Sequence, residues 1–375
     1  MNAKSSNNRD VKKNNRIDTL RAILSCGRIS QPALAARLGH SGPTMLQNVR
    51  ELIALGLVTE AGVFDSTGGR KAKAFAPVYD AHLAVGMEIT RTHLGLVVID
   101  LAGHLVRHER TRLPFSMSTE YLHALGDAVQ QLLAEESIPT EKILGVGISL
   151  PGILDSAGAV LTSSHVLHIY NVATENFSRY IPFPCFFIND ANAAGLAEVY
   201  DHDGQDSLVY LSLSNSVGGA ILIDGRLYTG SHQRAGEFGH NTLVPGGRRC
   251  YCGKQGCLDA YCNASLLSDL TGGSLALFFE KVRSKDPKCT QAWNEYLDHL
   301  AVAVNNLHMS FDCNVVAGGY VGSYLEEFGG HFREMLAARN TFEPDATYFR
   351  FCRHKVGASA IGAALLPVMD FLARI

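Results

Sequence analysis

Residues 236–262 read GEFGHNTLVPGGRRCYCGKQGCLDAYC, and the spacing of cysteine, histidine and glycine in this stretch decides the fold. Cys250, Cys252 and Cys257 fall within eight residues, with His240 a short Gly-rich loop upstream. Three thiols and an imidazole so placed can close a tetrahedral shell around one ion, and Zn²⁺ prefers that mixture of ligands. Gly246, Gly247, Gly253 and Gly256 leave no apolar run in which the thiols would be ordinary core residues. A structural zinc loop is therefore expected, held by His240, Cys250, Cys252 and Cys257. Glu237 and Asp259 sit just outside these ligands. A metal that fixes the loop backbone also fixes where those two carboxylates point, and a polyol suits them because each hydroxyl both donates and accepts.

This stretch resembles the signature of the ROK family (repressors, unassigned reading frames and sugar kinases), GExGH followed by CxCGxxGCxE. The likeness covers Glu237, His240, Cys250, Cys252 and Cys257, while Asp259 stands where the family usually has Glu. It implies an α/β body of two actin-like, ribonuclease-H-like lobes, the sugar-kinase ATPase fold, carrying the zinc loop.

Upstream, the apolar run Cys185 to Ile188 leads directly into NDANAAGLAEVY. Asn189 and Asp190 thus fall at the carboxyl end of a strand and the start of a helix, where open α/β sheets form their ligand crevice. A helix cap is the plainer reading of Asp190, and the two roles are compatible. The family resemblance implies a hexose site in which Asn189 and Asp190 bond sugar hydroxyls, completed by Glu237, His240 and Asp259. Another apolar strand, Ile143 to Leu150, ends in Pro151 and Gly152, where a ligand can approach the backbone. His165 and His168 follow in the next loop as further candidates for the cup wall.

ROK kinases hold the ATP phosphates in two turns resembling DxGGT and GTGxG. The corresponding residues here are Glu88, Ile89, Thr90, Arg91, Thr92 and Ser214, Asn215, Ser216, Val217, Gly218. Side chains replace glycines in both turns and occupy space that a triphosphate and its Mg²⁺ need. Sugar binding is expected to survive and phosphoryl transfer to be lost.

The first eighty residues read differently. Ile17, Leu20, Ile23 and Leu24 recur at helical spacing, and Ser30 caps a second helix with Pro32 in its first turn. A third starts near Gly42 and Pro43, with Leu46, Val49, Leu52 and Ile53 inward and Thr44, Gln47 and Asn48 on the opposite face. Gln and Asn pair bidentately with adenine, so Thr44, Gln47, Asn48 and Arg50 are candidate DNA contacts in the major groove. A hairpin wing follows, and Gly69, Arg70 and Lys71 at its tip suit phosphates. This is a winged helix-turn-helix, the same order that precedes the sugar-kinase-like body in ROK repressors.

Charge agrees with that division. Residues 1–80 carry twelve Lys or Arg against six Asp or Glu, a balance of +6, and the overall charge of −3 leaves −9 for the rest. A basic head on an acidic body suits a polyanion partner. Nine cysteines, six of them scattered, make no disulfide framework, and the polar, basic start MNAKSSNNRDVKKNNR has no apolar core of a signal peptide behind it. No apolar run reaches the roughly 18 residues of a membrane span. A cytoplasmic, nucleoid-associated protein is expected. The expected domains are a head over 1–78 and a body over 83–375, whose lobes are 83–190 with 355–375, and 191–354.

The sequence supports a sugar-responsive transcription regulator, binding double-stranded operator DNA and a sugar or sugar phosphate as a homodimer or homotetramer. An active sugar kinase with a DNA-binding head, and a DNA-binding scaffold with a vestigial sugar site, are the alternatives.

Overall fold

A computed structural model describes residues 8–64, 72–200 and 207–375. The chain opens with α1 (Asn8–Cys26), β1 (Ile29–Ser30), α2 (Gln31–Leu38) and α3 (Gly42–Ala54), followed by β2 (Val58–Phe64) and β3 (Ala72–Pro77). Ser30 and Ser41 start α2 and α3 by accepting the backbone N–H groups of Ala33 and Thr44, and a proline occupies the first turn of each. Such caps satisfy donors that a helix start otherwise leaves open. β2 and β3 pair antiparallel and β1 adds to β3, completing a winged helix-turn-helix. Leu20, Ile23, Leu34, Met45, Val49, Leu52 and Phe75 fill its centre.

Two findings amend the reading of the head. The polar arm is helical from Asn8, ahead of the first apolar repeat, so periodicity could not show it. Asn48 is also not on the open face of α3: it is buried, and its amide donates to Thr19 Oγ1 at 3.1 Å and to the Asn15 carbonyl at 3.3 Å. It ties α3 to α1 because a buried amide must find partners inside the protein.

The body holds two five-stranded sheets. The first comprises β4 (Leu83–Ile89), β5 (His93–Asp100), β6 (Leu105–Arg112), β7 (Ile143–Leu150) and, beyond a small sheet of β8 (Ile153–Leu154), β9 (Val160–Ser164) and β10 (Ile169–Ala173), β11 (Cys185–Asn189). Helices α4 (Thr119–Glu135) and α5 (Glu175–Ser178) belong to this lobe. Helix α6 (Asp190–Val199) then leads to the second sheet: β12 (Leu208–Leu213), β13 (Val217–Ile223), β14 (Arg226–Leu227), β15 (Asn314–Gly318) and β16 (Phe349–Phe351).

The sheet orders are β6-β5-β4-β7-β11 and β14-β13-β12-β15-β16. In each, three strands run antiparallel and two more add in parallel beside the first, so one topology occurs twice. No sequence repeat accompanies it. This is the two-lobed actin-like architecture.

Around the second sheet lie α7 (Asp259–Cys262), α8 (Ser265–Ser268), α9 (Leu275–Arg283), α10 (Pro287–Phe311), α11 (Gly319–Leu325) and α12 (Gly329–Ala337). The last helix, α13 (Ala358–Arg374), returns to β4, β7 and α6. A Cβ on Gly147 would lie 1.8 Å from the Ala363 carbonyl oxygen, and one on Gly362 would lie 1.7 Å from that of Ala193. The α6–α13 pair therefore packs backbone to backbone, which fixes the helix that begins at Asp190.

Candidate functional site: buried carboxyls beside a cluster of metal-ligand residues

Asp190 begins α6 where β11 ends, and the sequence there builds its own support. Asn189 caps the helix by accepting the Asn192 N–H at 2.9 Å, while its amide nitrogen donates to the Gly152 carbonyl at 2.9 Å and to Asp190 Oδ1 at 3.1 Å. Gly152 has φ +138°, and a Cβ there would meet the Ser163 carbonyl oxygen at 2.4 Å, so only glycine fits. The Asn189 side chain is thus engaged on both its oxygen and its nitrogen, and it positions Asp190.

The Asp190 Oδ1 also accepts the Ala191 N–H at 2.9 Å. Burial, then the nearby carboxyls of Glu88 and Glu237, push this acid up to about 7. A carboxyl that titrates near neutrality can accept a hydroxyl proton or share one.

The GEFGH segment approaches from the second lobe. A Cβ on Gly236 would lie 2.4 Å from the Gly219 carbonyl oxygen, and one on Gly239 would lie 2.1 Å from that of Val217. These two glycines lay the segment against β13, with Phe238 buried between them. Glu237 and His240 flank that anchor. Burial raises the Glu237 acid, partly offset by His240, His165 and Arg234, so both imidazoles lie within electrostatic reach of the carboxyl. Glu237 also borders a cavity of about 430 Å³ on the α10 side.

His240, Cys250, Cys252 and Cys257 converge with all four ligand atoms within 4.8 Å of one another. Cys252 Sγ lies 3.8 Å from Cys257 Sγ, and Cys250 Sγ lies 3.9 Å from His240 Nδ1. Tetrahedral bonds of about 2.3 Å to sulfur and 2.0–2.1 Å to nitrogen require separations of this size. The cluster can hold a metal ion.

Asp259 behaves differently. Its buried carboxylate accepts the Val217 N–H at 2.7 Å, which anchors the start of β13 rather than leaving that oxygen free for a ligand. One methylene shorter than the family's Glu, it is held at the backbone.

Beyond Asp190 a cavity of about 500 Å³ opens between the lobes, lined by Glu88, Arg91, Arg110, Ser214, Asn215 and Tyr320 among others. Thr90 closes the first turn on itself, its Oγ1 donating to the His93 carbonyl at 2.9 Å. Glu88 is engaged by Ser359, whose hydroxyl donates at 2.5 Å. Arg110 crosses from β6 to the second lobe and donates to the Tyr320 hydroxyl at 3.2 Å.

Sequence reasoning missed Tyr251, whose hydroxyl lies 3.3 Å from His240 Nε2. Its place between Cys250 and Cys252 was the available signal. It named His165 only as a candidate. His165 stands beside Tyr251 with ring centroids 5.9 Å apart, whereas His168 takes φ +56° in the turn before β10.

In the head, Gln47 and Arg50 are exposed on α3 and Thr44 is partly so. Gln47 donates to Glu51 Oε1 at 3.2 Å, and Thr44 shares a 2.9 Å hydroxyl contact with Ser41. Gly69, Arg70 and Lys71 lie outside the described residues. The head meets the body where Tyr79 stacks edge-on with His104 at 5.2 Å and donates to the Leu24 carbonyl at 3.5 Å. Leu24 and Ser25 of α1 share a cavity of about 400 Å³ with Ala197 and Tyr200 at the far end of α6. No helix among the described residues is long and apolar enough to cross a membrane.

Comparison with known proteins follows the same division. A winged helix-turn-helix DNA-binding profile matches residues 13–59, and the ROK family profile matches residues 84–368. The chain is 27% identical over 253 residues to the DNA-binding transcriptional dual regulator NagC of Escherichia coli, covering 66% of this chain but only 62% of that protein. It is 25% identical over 354 residues to the xylose repressor of Caldicellulosiruptor bescii, covering 88% and 89% of the two chains. In structure it is similar to a ROK family transcriptional regulator homologous to the E. coli MLC protein, with TM-score 0.74, 19% identity and coverage of 97% and 98%, a likeness of fold. It is also similar to the ROK hexokinase of Thermus thermophilus, with TM-score 0.59, 28% identity and coverage of 77% and 99%. With most of its length matched by that profile and a winged helix-turn-helix in front, this chain belongs to the ROK family.

Proposed function

We propose that the protein is a sugar-responsive, DNA-binding transcription regulator, a repressor of carbohydrate-utilisation genes, without kinase activity. The observation that carries this reading is the run of α6. Its first turn holds Asn189 and Asp190 at the cup, and its last turn shares a cavity with α1 of the head. A ligand that favours one placement of the lobes changes what the head rests on, and the change in operator affinity equals the coupling free energy, typically ~1–3 kcal/mol.

Asp190 and Glu237 are the proposed contacts to sugar hydroxyls, with His240 beside them and Gly152 allowing close backbone approach. Asn189 positions Asp190, and Asp259 supports β13. Zn²⁺ is the metal proposed for His240, Cys250, Cys252 and Cys257, and it would supply rigidity to the loop that carries Glu237. In the head, Gln47, Thr44 and Arg50 face the major groove and Gly69, Arg70 and Lys71 the phosphates. Two heads in a homodimer or homotetramer fit a palindromic operator.

Absence of kinase activity rests on the two turns. Thr90, Arg91 and Thr92, and Ser214, Asn215 and Ser216, put side chains where backbone N–H groups would have to meet a triphosphate. The relatives named as repressors support regulation, and the hexokinase likeness keeps phosphoryl transfer as the reading to test. The domain limits proposed are 1–78 and 83–375, in the cytoplasm and on the nucleoid.

The test is operator binding by mobility shift, with genomic DNA flanking the gene as probe, titrated with N-acetylglucosamine, xylose, glucose and their phosphates. One of these should shift operator affinity about fivefold or more. Unchanged affinity with all of them, in protein that binds the operator, would leave the scaffold reading.

A further inference from the structure

Each lobe leaves a tyrosine open at its surface. Tyr170 on β10 is 56% exposed, and Tyr251 in the metal loop is 54% exposed. Both flank one imidazole. The His165 ring stands edge-on to Tyr170 at 6.0 Å and tilted against Tyr251 at 5.9 Å, and its Nδ1 lies 3.4 Å from the Tyr170 hydroxyl. Tyr251 continues the series to His240, edge-on at 5.3 Å. Four rings therefore form an arc from the first lobe to the second, and its two imidazoles both lie within electrostatic reach of Glu237.

A pyranose presents two chemically different surfaces. Its hydroxyl edge needs donors and acceptors, which Asp190 and Glu237 provide. Its C–H faces are apolar and remain wet in a site built only of carboxylates and amides. Aromatic rings are the side chains that pair a large apolar face with a polar tip. We propose that Tyr251 and His165, extended by Tyr170, form a binding subsite for the C–H face of a pyranose ring. Because Tyr251 comes from one lobe and His165 with Tyr170 from the other, an occupied platform holds the lobes in one relative placement.

This inference rests on the reading of Asp190 and Glu237 as a sugar cup. It adds an aromatic surface for the C–H face of the ring, with Tyr251 as a residue that sets preference for a closed ring over a linear polyol. The Tyr251 hydroxyl also orients His240, since it meets Nε2 while Nδ1 faces the thiols.

Calorimetry on the full chain separates the two levels. The probes are glucose, xylose and N-acetylglucosamine, and the linear alditols glucitol and xylitol. Wild-type protein should bind a pyranose and ignore the open-chain alditol of the same sugar. Tyr251→Ala should weaken the pyranose about tenfold, and His165→Ala and Tyr170→Ala by smaller factors. Tyr251→Phe should keep most of the affinity, and zinc content should match wild type in all four.

If the wild type binds a pyranose and the His165, Tyr170 and Tyr251→Phe variants, together with a zinc-loaded Tyr251→Ala, bind it equally well, the platform is wrong and the cup stands. An alditol bound as tightly as its pyranose also overturns it. A wild type silent to every sugar removes the cup and the platform together. Should Tyr251→Ala lose zinc, the decision passes to His165→Ala and Tyr170→Ala, which alter no metal ligand.

Discussion

Two sets of loops lie around Asp190 and Glu237, and they differ in how closely their backbone packs. On the side of the proposed cup, Gly152, Gly236 and Gly239 press backbone on backbone, since a Cβ at any of them would lie within 2.4 Å of a carbonyl oxygen of the protein. On the cleft side the two hairpin turns carry Thr90, Arg91, Thr92 and Ser214, Asn215, Ser216 instead. A hollow of about 500 Å³ persists between these turns, so space is not what the proposed loss of phosphoryl transfer rests on. Phosphoryl transfer is largely a matter of positioning and neutralising charge, so side chains that keep backbone donors from the phosphates are expected to matter more than the space they take.

The largest effect is expected from removing what holds the proposed cup while leaving the cleft. Cys252→Ser should bring bound zinc close to zero by elemental analysis and abolish effector binding, with the head still able to bind DNA. Retained stoichiometric zinc would show that the cluster is not the metal site. Next, Asp190→Asn should abolish the effector response while operator affinity stays within about twofold of wild type. Loss of both would make Asp190 a purely structural cap.

A pH series sharpens the same point. Asp190 is raised to about 7, and hydroxyl donors prefer its charged form, so effector binding should lower its pKa and release a proton. Affinity should therefore rise by up to about tenfold per pH unit below 7 and level off above it. The slope should vanish in Asp190→Asn. A flat wild-type profile between pH 5.5 and 8 would mean that no sugar hydroxyl meets this carboxyl.

Smaller effects separate two neighbours in the head. Asn48→Ala should cost about 1–3 kcal/mol of stability by leaving buried partners unmet, measured by chemical denaturation. Gln47→Ala should leave stability unchanged and relax discrimination at one operator position by about 1–3 kcal/mol. The reverse pattern would put Asn48, not Gln47, in the groove.

These neighbours also show how far the sequence could be read. Helical spacing put Thr44, Gln47 and Asn48 on one broad polar face, but it could not register that α1 begins at Asn8 and covers part of that face. Metal spacing was legible because four ligands must meet within a few ångströms wherever the chain goes. The identical order of the two sheets was not, because topology repeats without any repeat of residues. Asn189 looked like a sugar contact from its motif, whereas its three hydrogen bonds inside the protein emerge only when Gly152 and Asn192 are brought beside it. The aromatic arc was hidden for a similar reason: Tyr170 and Tyr251 are far apart in the chain and come from different lobes.

The most direct measurement follows sugar binding and ATP turnover in one sample: purified protein with Mg-ATP and each of the hexoses, N-acetylhexosamines and pentoses, read by calorimetry and by ADP release. The expected result is saturable heat with at least one sugar and no ADP above the sugar-free control. Sustained, sugar-dependent ADP release would contradict it and show that the cleft still performs phosphoryl transfer.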